Sequence, residues 1–206
     1  MLLASALLIG APVGAAAQTP KPELAALAVE LQRGGHVIVL RHGATHANQA
    51  DLAPLQPEGP GAQRQLNDKG REAAKAFGAA LKAIGVPVGK TYTSRFNRAF
   101  ETAVLAGRAD AEKSTDITEG GLVVSPIENA RRAAALKKLV ETPPGAGTTI
   151  IVVTHKPNIM DAFGKDWFEV REGEASIFRP QPGGTVLVAR VLIEEWPAIA
   201  TSAVRR

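Results

Sequence analysis

A chain of 206 residues, 45% of them hydrophobic and 21% charged, has the apolar material for the core of one ordinary globular domain, with no internal repeat and no long low-complexity stretch. The formal net charge of +4 is mild and spread along the chain, and aromatic residues make up only 4%, so no nucleic-acid partner is indicated. With no cysteine there is no disulfide framework, no thiolate nucleophile and no thiolate metal site.

The chain opens on MLLASALLIGAPVGAAAQTP, a short apolar run closing on Ala15, Ala16 and Ala17. It reads as a signal peptide over residues 1–17; an ordinary apolar terminus is the alternative, because no Lys or Arg precedes Lys21. The run falls short of the roughly 20 residues a membrane span needs. The expectation is therefore an exported, periplasmic protein with no stable membrane anchor after cleavage, residues 18–206 forming a single domain.

A helical pattern over 22–33 is followed by Gly34-Gly35 and by HVIVLR, 36–41, a buried strand that runs into Arg41-His42-Gly43. The loop QADLAPLQPEGPGAQR, 49–64, has too little periodicity for an element, and leaving Gly43 and Thr45 directly it is expected to roof whatever lies there. A helix over 67–84, with Asn67 or Asp68 as N-cap, precedes a strand at 90–94 and a helix at 95–108. Ser125-Pro126 opens a helix over 126–140, on which Arg131, Arg132, Lys137 and Lys138 read as a solvated face. Strands follow at 149–154, 174–179 and 185–191, the last two joined by a Pro-Gly-Gly turn.

Strands alternating with helices predict a three-layer α/β fold, a mostly parallel central sheet with helices on both faces. In such sheets ligands sit beyond the carboxyl ends of the strands. Three strands end there on Arg41-His42-Gly43, on Ser94 with Arg98 one turn on, and on Thr154-His155. Singly, a histidine or an arginine is more often a packed or solvated residue. Two of each at one sheet edge repel one another when empty, so an anion is their natural occupant, and guanidinium forks suit the several oxygens of a phosphate. A neutral imidazole is in addition a competent nucleophile near pH 7.

The segment VIVLRHGATHAN resembles the R-H-G-x-T-x-x-N signature of the histidine phosphatase (phosphoglycerate mutase-like) superfamily. TSRFNRAFETA is similar to its second block, S-x-x-x-R-A-x-x-T-A, and VTHKPNI to its third, so the resemblance spans about 37–160. It implies His42 as phosphoryl acceptor, Arg41 and Arg98 as phosphate clamp, His155 as partner of the equatorial oxygens, and Asn48 and Gly43 as residues of the phosphate pocket. Ala44 stands where many relatives have glutamate, and Arg95 is an additional cation. The implied activity is hydrolysis of small phosphomonoesters through phosphohistidine, with no metal and no cofactor. For the general acid, Glu119 is best placed after the second block, with Glu174, Glu172 and Asp51 as other choices.

Four other readings are weighed. GVPVGKT, 85–91, is one residue short of a phosphate-binding loop and precedes a strand when it should follow one. A metal hydrolase would use His42, His46 and Asp51, but Gly43 argues against the helix that His-x-x-x-His spacing requires. A mutase-type phosphotransferase would share the same four cationic residues yet needs a lid that this length does not supply. A non-catalytic phosphate- or phosphosugar-binding protein is disfavoured because Arg41, His42, Arg98 and His155 are all present, and a trapped phosphohistidine would exclude it.

Overall fold

The computed structural model describes residues 23–52, 63–120 and 123–204. The leader expected at 1–17 lies outside these residues, as does the middle of the long loop, 53–62.

Helix α1 (Leu24–Gln32) precedes β1 (Val37–Arg41); α2 (Asp68–Ile84), β2 (Val88–Ser94) and α3 (Asn97–Leu105) follow, then the short β3 (Glu112–Ser114). The second half carries α4 (Pro126–Glu141), β4 (Thr149–Thr154), α5 (Lys156–Phe163), the pair β5 (Glu174–Gln181) and β6 (Gly184–Leu192), and α6 (Trp196–Val204). One six-stranded sheet runs in the order β3-β2-β4-β1-β5-β6. The pairs β2·β3, β2·β4 and β1·β4 are parallel, and β5 is antiparallel to both neighbours, so the sheet is mostly parallel.

Strand periodicity builds the three layers. Ile38 and Leu40 of β1, with Ile151 and Val153 of β4, pack with Leu31, Phe77, Ala99 and Trp196, one from each of α1, α2, α3 and α6. Val37, Val39, Ile150 and Val152 point the other way, onto Leu136 and Val140 of α4 and Ile159 of α5. Both faces of the central strands are thereby buried, which is why they read as unbroken apolar runs.

The helix starts agree with their caps: Asn67 Oδ1 accepts from Gly70 N at 2.8 Å, and Ser125 Oγ accepts from Glu128 N at 3.1 Å. Four details differ from expectation. Helix α3 begins two residues late because Phe96 is extended, with ψ at 137°. Strand β3 is three largely exposed polar residues and has no apolar signal. Helices α5 and α6 were not anticipated; α6 is anchored by Trp196, wholly buried and edge-on to Phe77 at 4.8 Å. Arg132 is not solvated but buried, donating from Nη1 to the Thr118 carbonyl at 2.8 Å. Among the described residues no helix is long and apolar enough to cross a membrane.

Candidate active site

Register decides what meets at the sheet edge. Arg41 of β1 lies opposite Thr154 of β4, so the next residues, His42 and His155, leave two adjacent parallel strands at the same level. Their ring centroids are 5.2 Å apart at 59°, and both rings are buried. Thr93 of β2 pairs with Val153, which puts Ser94 one step behind His155, and Ser94 Oγ is 2.7 Å from His155 Nε2.

The chain then turns into α3 and delivers Arg98, a guanidinium with no exposed surface, stacked over the Phe96 ring at 4.4 Å. Phe96 in turn meets the His155 ring edge-on at 5.3 Å. Thr102 ties this helix to the first strand end: its Oγ1 accepts from Gly43 N at 3.1 Å and donates to the Arg98 carbonyl at 2.7 Å. Gly43 is pressed against α2, where a Cβ on Gly70 would lie 2.1 Å from the Ala44 oxygen. The close approach at this glycine pair is therefore between backbone segments of the protein itself.

The His42 tautomer follows from its neighbour. Nδ1 lies 2.8 Å from the Gly43 carbonyl, which can only accept, so the proton sits on Nδ1 and the lone pair on Nε2. Burial first, then the positive charges of Arg98, Arg41 and Arg64, hold the His42 imidazole well below its ordinary pKa, the Gly43 bond working against them. His155 is depressed in the same way by burial, Arg98, the His42 ring, Arg41 and Arg64. Both rings are thus neutral at neutral pH. Ser94 Oγ accepts from Phe96 N at 3.1 Å as well as lying against His155 Nε2, and on the other side of the ring His155 Nδ1 is 3.5 Å from Glu119 Oε2.

Three carboxylates complete the cluster. Glu119 Oε1 accepts from Arg98 Nη2 at 2.7 Å and Asp51 Oδ1 from Arg98 Nη1 at 2.9 Å, so both prongs of the fork are held. Asp51 Oδ1 also accepts from Arg64 N at 3.0 Å. Burial raises the Glu119 carboxyl pKa despite Arg98, with Asp51 adding in the same direction. Glu172 sits on the other side, against Thr45 and Arg41. Glu174 is buried in bonds with Arg190 and the Arg171 amide.

Of the residues singled out from sequence, Arg41, His42, Gly43, Arg98, His155 and Glu119 come together, with Asp51 and Glu172 beside them. Asn48 is exposed in the turn after His46. Sequence reasoning missed Arg64, whose charge acts on both imidazoles, and the bracing by Ser94 and Thr102. The two hydroxyls lie inside the second block, where their spacing offers a signal; Arg64 ends an aperiodic loop and offers none. Among the described residues no group of three or more His, Asp or Glu side chains is arranged to hold a metal ion.

Residues 37–123 match the family model of the histidine phosphatase superfamily (branch 1). Among solved structures, the chain is similar to a mycobacterial glucosyl-3-phosphoglycerate phosphatase in complex with inorganic phosphate, at 17% identity and a TM-score of 0.54, over 78% of this chain and 99% of that one. It is similar to the protein histidine phosphatase SixA in complex with tungstate, at 18% identity and TM-score 0.53, over 78% of this chain and 98% of that one. A phosphoserine phosphatase mutant from Entamoeba histolytica, in complex with phosphoserine, matches at 16% identity and TM-score 0.53, over 75% of this chain and 95% of that one. At such identities the likeness is one of fold. The comparison with curated proteins gives no match.

Proposed function

We propose that the chain is a histidine phosphatase, a reading supported by the match of residues 37–123 to that superfamily's model, and that it hydrolyses small phosphomonoesters through a phosphohistidine on His42, without a bound metal. The observation that carries this reading is the pairing of two neutral, buried imidazoles with a buried guanidinium, His42 being fixed in the tautomer that frees Nε2 for attack.

The incoming phosphoryl group takes the place of a carboxylate on Arg98, with Arg41 and His155 on its other oxygens. His42 Nε2 forms a bond to phosphorus as the ester P–O bond breaks, and Glu119, its pKa raised, gives its proton to the departing oxygen. Water then attacks phosphorus and passes a proton to Glu119, while the N–P bond breaks and its electron pair returns to Nε2. Positioning and charge stabilisation supply most of what phosphoryl transfer requires, and the cationic side chains are placed to provide both.

The phosphoserine held by one of the similar structures supports this size class. The apolar leader supports an exported, periplasmic site of action, which fractionation of cells expressing the full chain would test. The activity is tested by a panel of phosphomonoesters offered to the wild type and to His42→Ala, with and without chelator. Turnover in wild type that survives chelation and is abolished in His42→Ala, with acid-labile phosphate trapped on the protein, is the expected result. An active His42→Ala protein, or full loss with chelator, would overturn it.

A further inference from the structure

The carboxylates around the cluster divide by what they hold. Asp51 and Glu119 sit on Arg98, whereas Glu172 grips the end of β1 and the turn after it. Its Oε2 accepts from Thr45 N at 3.3 Å, its Oε1 accepts from Thr45 Oγ1 at 2.5 Å, and the same Oε1 lies 3.6 Å from Arg41 Nη2. Two residues earlier, the Val170 carbonyl accepts from Arg41 Nη1 at 2.8 Å. One residue later, Gly173 N donates to the carbonyls of Arg41, at 3.1 Å, and His42, at 2.9 Å.

Residues 170–173 therefore hold three things at once: the Arg41 guanidinium, the backbone of His42, and the chain immediately beyond it. The turn at residue 173 calls for glycine. Its φ is +74°, and a Cβ there would lie 2.6 Å from Ile193 Cγ2. Arg41 Nε is meanwhile buried with no hydrogen-bond partner, and at 3.6 Å Glu172 is an ion-pair partner of Nη2 and not a hydrogen-bond acceptor, so donors of this guanidinium are unspent.

We propose that Glu172 is a positioning residue for phosphate binding: it fixes the aim of Arg41 and ties that aim to the loop carrying Thr45, without exchanging protons with the substrate. The proposal rests on the phosphatase reading. A flexible arginine at a strand end otherwise samples many rotamers, and fixing it beforehand lowers the ordering cost of binding.

The test is the dissociation constant of orthophosphate, by titration calorimetry, alongside kcat and KM, in Glu172→Ala, Glu172→Gln, Arg41→Ala and the double variant Glu172→Ala/Arg41→Ala. Glu172→Ala is expected to weaken phosphate binding about tenfold, the lower end for losing hydrogen bonds to a charged group. Glu172→Gln keeps one oxygen to accept from Thr45, its NH2 able only to donate to the Thr45 hydroxyl, and loses the charge, so it is expected to fall between; it also carries the test should Glu172→Ala fail to fold. In the Arg41→Ala background, Glu172→Ala is expected to change binding by less than about twofold. Unchanged binding in both Glu172 variants, or an equal loss with and without Arg41, would overturn the proposal. A wild-type protein that neither binds phosphate nor turns over esters would instead sink the phosphatase reading.

Discussion

Replacing Asp51 by asparagine tests whether this carboxylate holds Arg98 as an internal stand-in for phosphate. Asp51 Oδ1 is 2.9 Å from Arg98 Nη1, and Glu119 takes the other prong at 2.7 Å, so no bidentate phosphate reaches this fork unless a carboxylate leaves. In the proposed mechanism Asp51 is the one to leave, because it comes from a loop and Glu119 serves the departing oxygen. A hydrogen bond to a charged group contributes roughly 1.5–3 kcal/mol. Asp51 is 20% exposed, and asparagine keeps a weaker acceptor, so the difference left to phosphate is about 1 kcal/mol, close to fivefold in affinity. Titration calorimetry with orthophosphate is the assay, and Asp51→Asn is expected to bind about fivefold more tightly, with product inhibition deepening in step. Equal or weaker binding would refute the reasoning and make Asp51 a support for Arg98. A large fall in kcat with an altered pH profile would make it the proton donor.

Glu119→Gln is expected to lower kcat by about 10²–10⁴ and to remove the alkaline limb of the rate profile, since the wild-type acid works only while protonated. Gly70→Ala places a Cβ 2.1 Å from the Ala44 oxygen and 2.7 Å from its nitrogen; both are backbone atoms, so the loop after His42 must shift. The expected loss is about 3 kcal/mol, roughly 6–12 °C in Tm at this size, and an unchanged melt would count against the packing. Stability should also fall with acid. Burial holds His36, His42 and His155 below their usual value, so below about pH 6.5 the unfolded chain binds more protons than the folded one. Each contributes up to about 1.4 kcal/mol per pH unit between that point and its lowered pKa, and denaturant midpoints at pH 7.5, 6.5 and 5.5 would reveal a flat line if this is wrong.

Legibility from sequence followed burial. Strands β1 and β4 are covered on both faces and stand out as apolar runs, and the residues after them, His42 and His155, could be placed because such strands end at a common edge. Strand β3 is too polar and short to read, and α5 and α6, eight and nine residues long, draw their stability from packing more than from periodicity. At the site, residues carried by strand ends and by α3 were legible. On irregular chain Glu119 and Asp51 could be named as candidates, but nothing local marks Arg64 as a neighbour of two imidazoles, and the role of Glu172 depends on a bond to Thr45, 127 positions away. Arg132 misled for a related reason, since a cation on a helix reads as solvated until the Thr118 carbonyl is seen to need it.

The charges of the cluster explain why acids crowd a pocket built for an anion. A guanidinium with no exposed surface is costly to bury alone; breaking such a pair typically costs about 3–5 kcal/mol. The protein supplies anions of its own: Asp51, Glu119 and Glu172 set three negative charges against Arg41, Arg64 and Arg98 while both histidines stay neutral. This balance has a mechanistic consequence. A phosphate dianion that displaces only Asp51 brings excess negative charge into a buried space, and that excess favours a proton on Glu119, the state in which a carboxyl can donate to a leaving oxygen. In the proposed mechanism substrate binding thus prepares the acid that the reaction uses next, and the departure of phosphate, restoring Asp51 to Arg98, removes that bias.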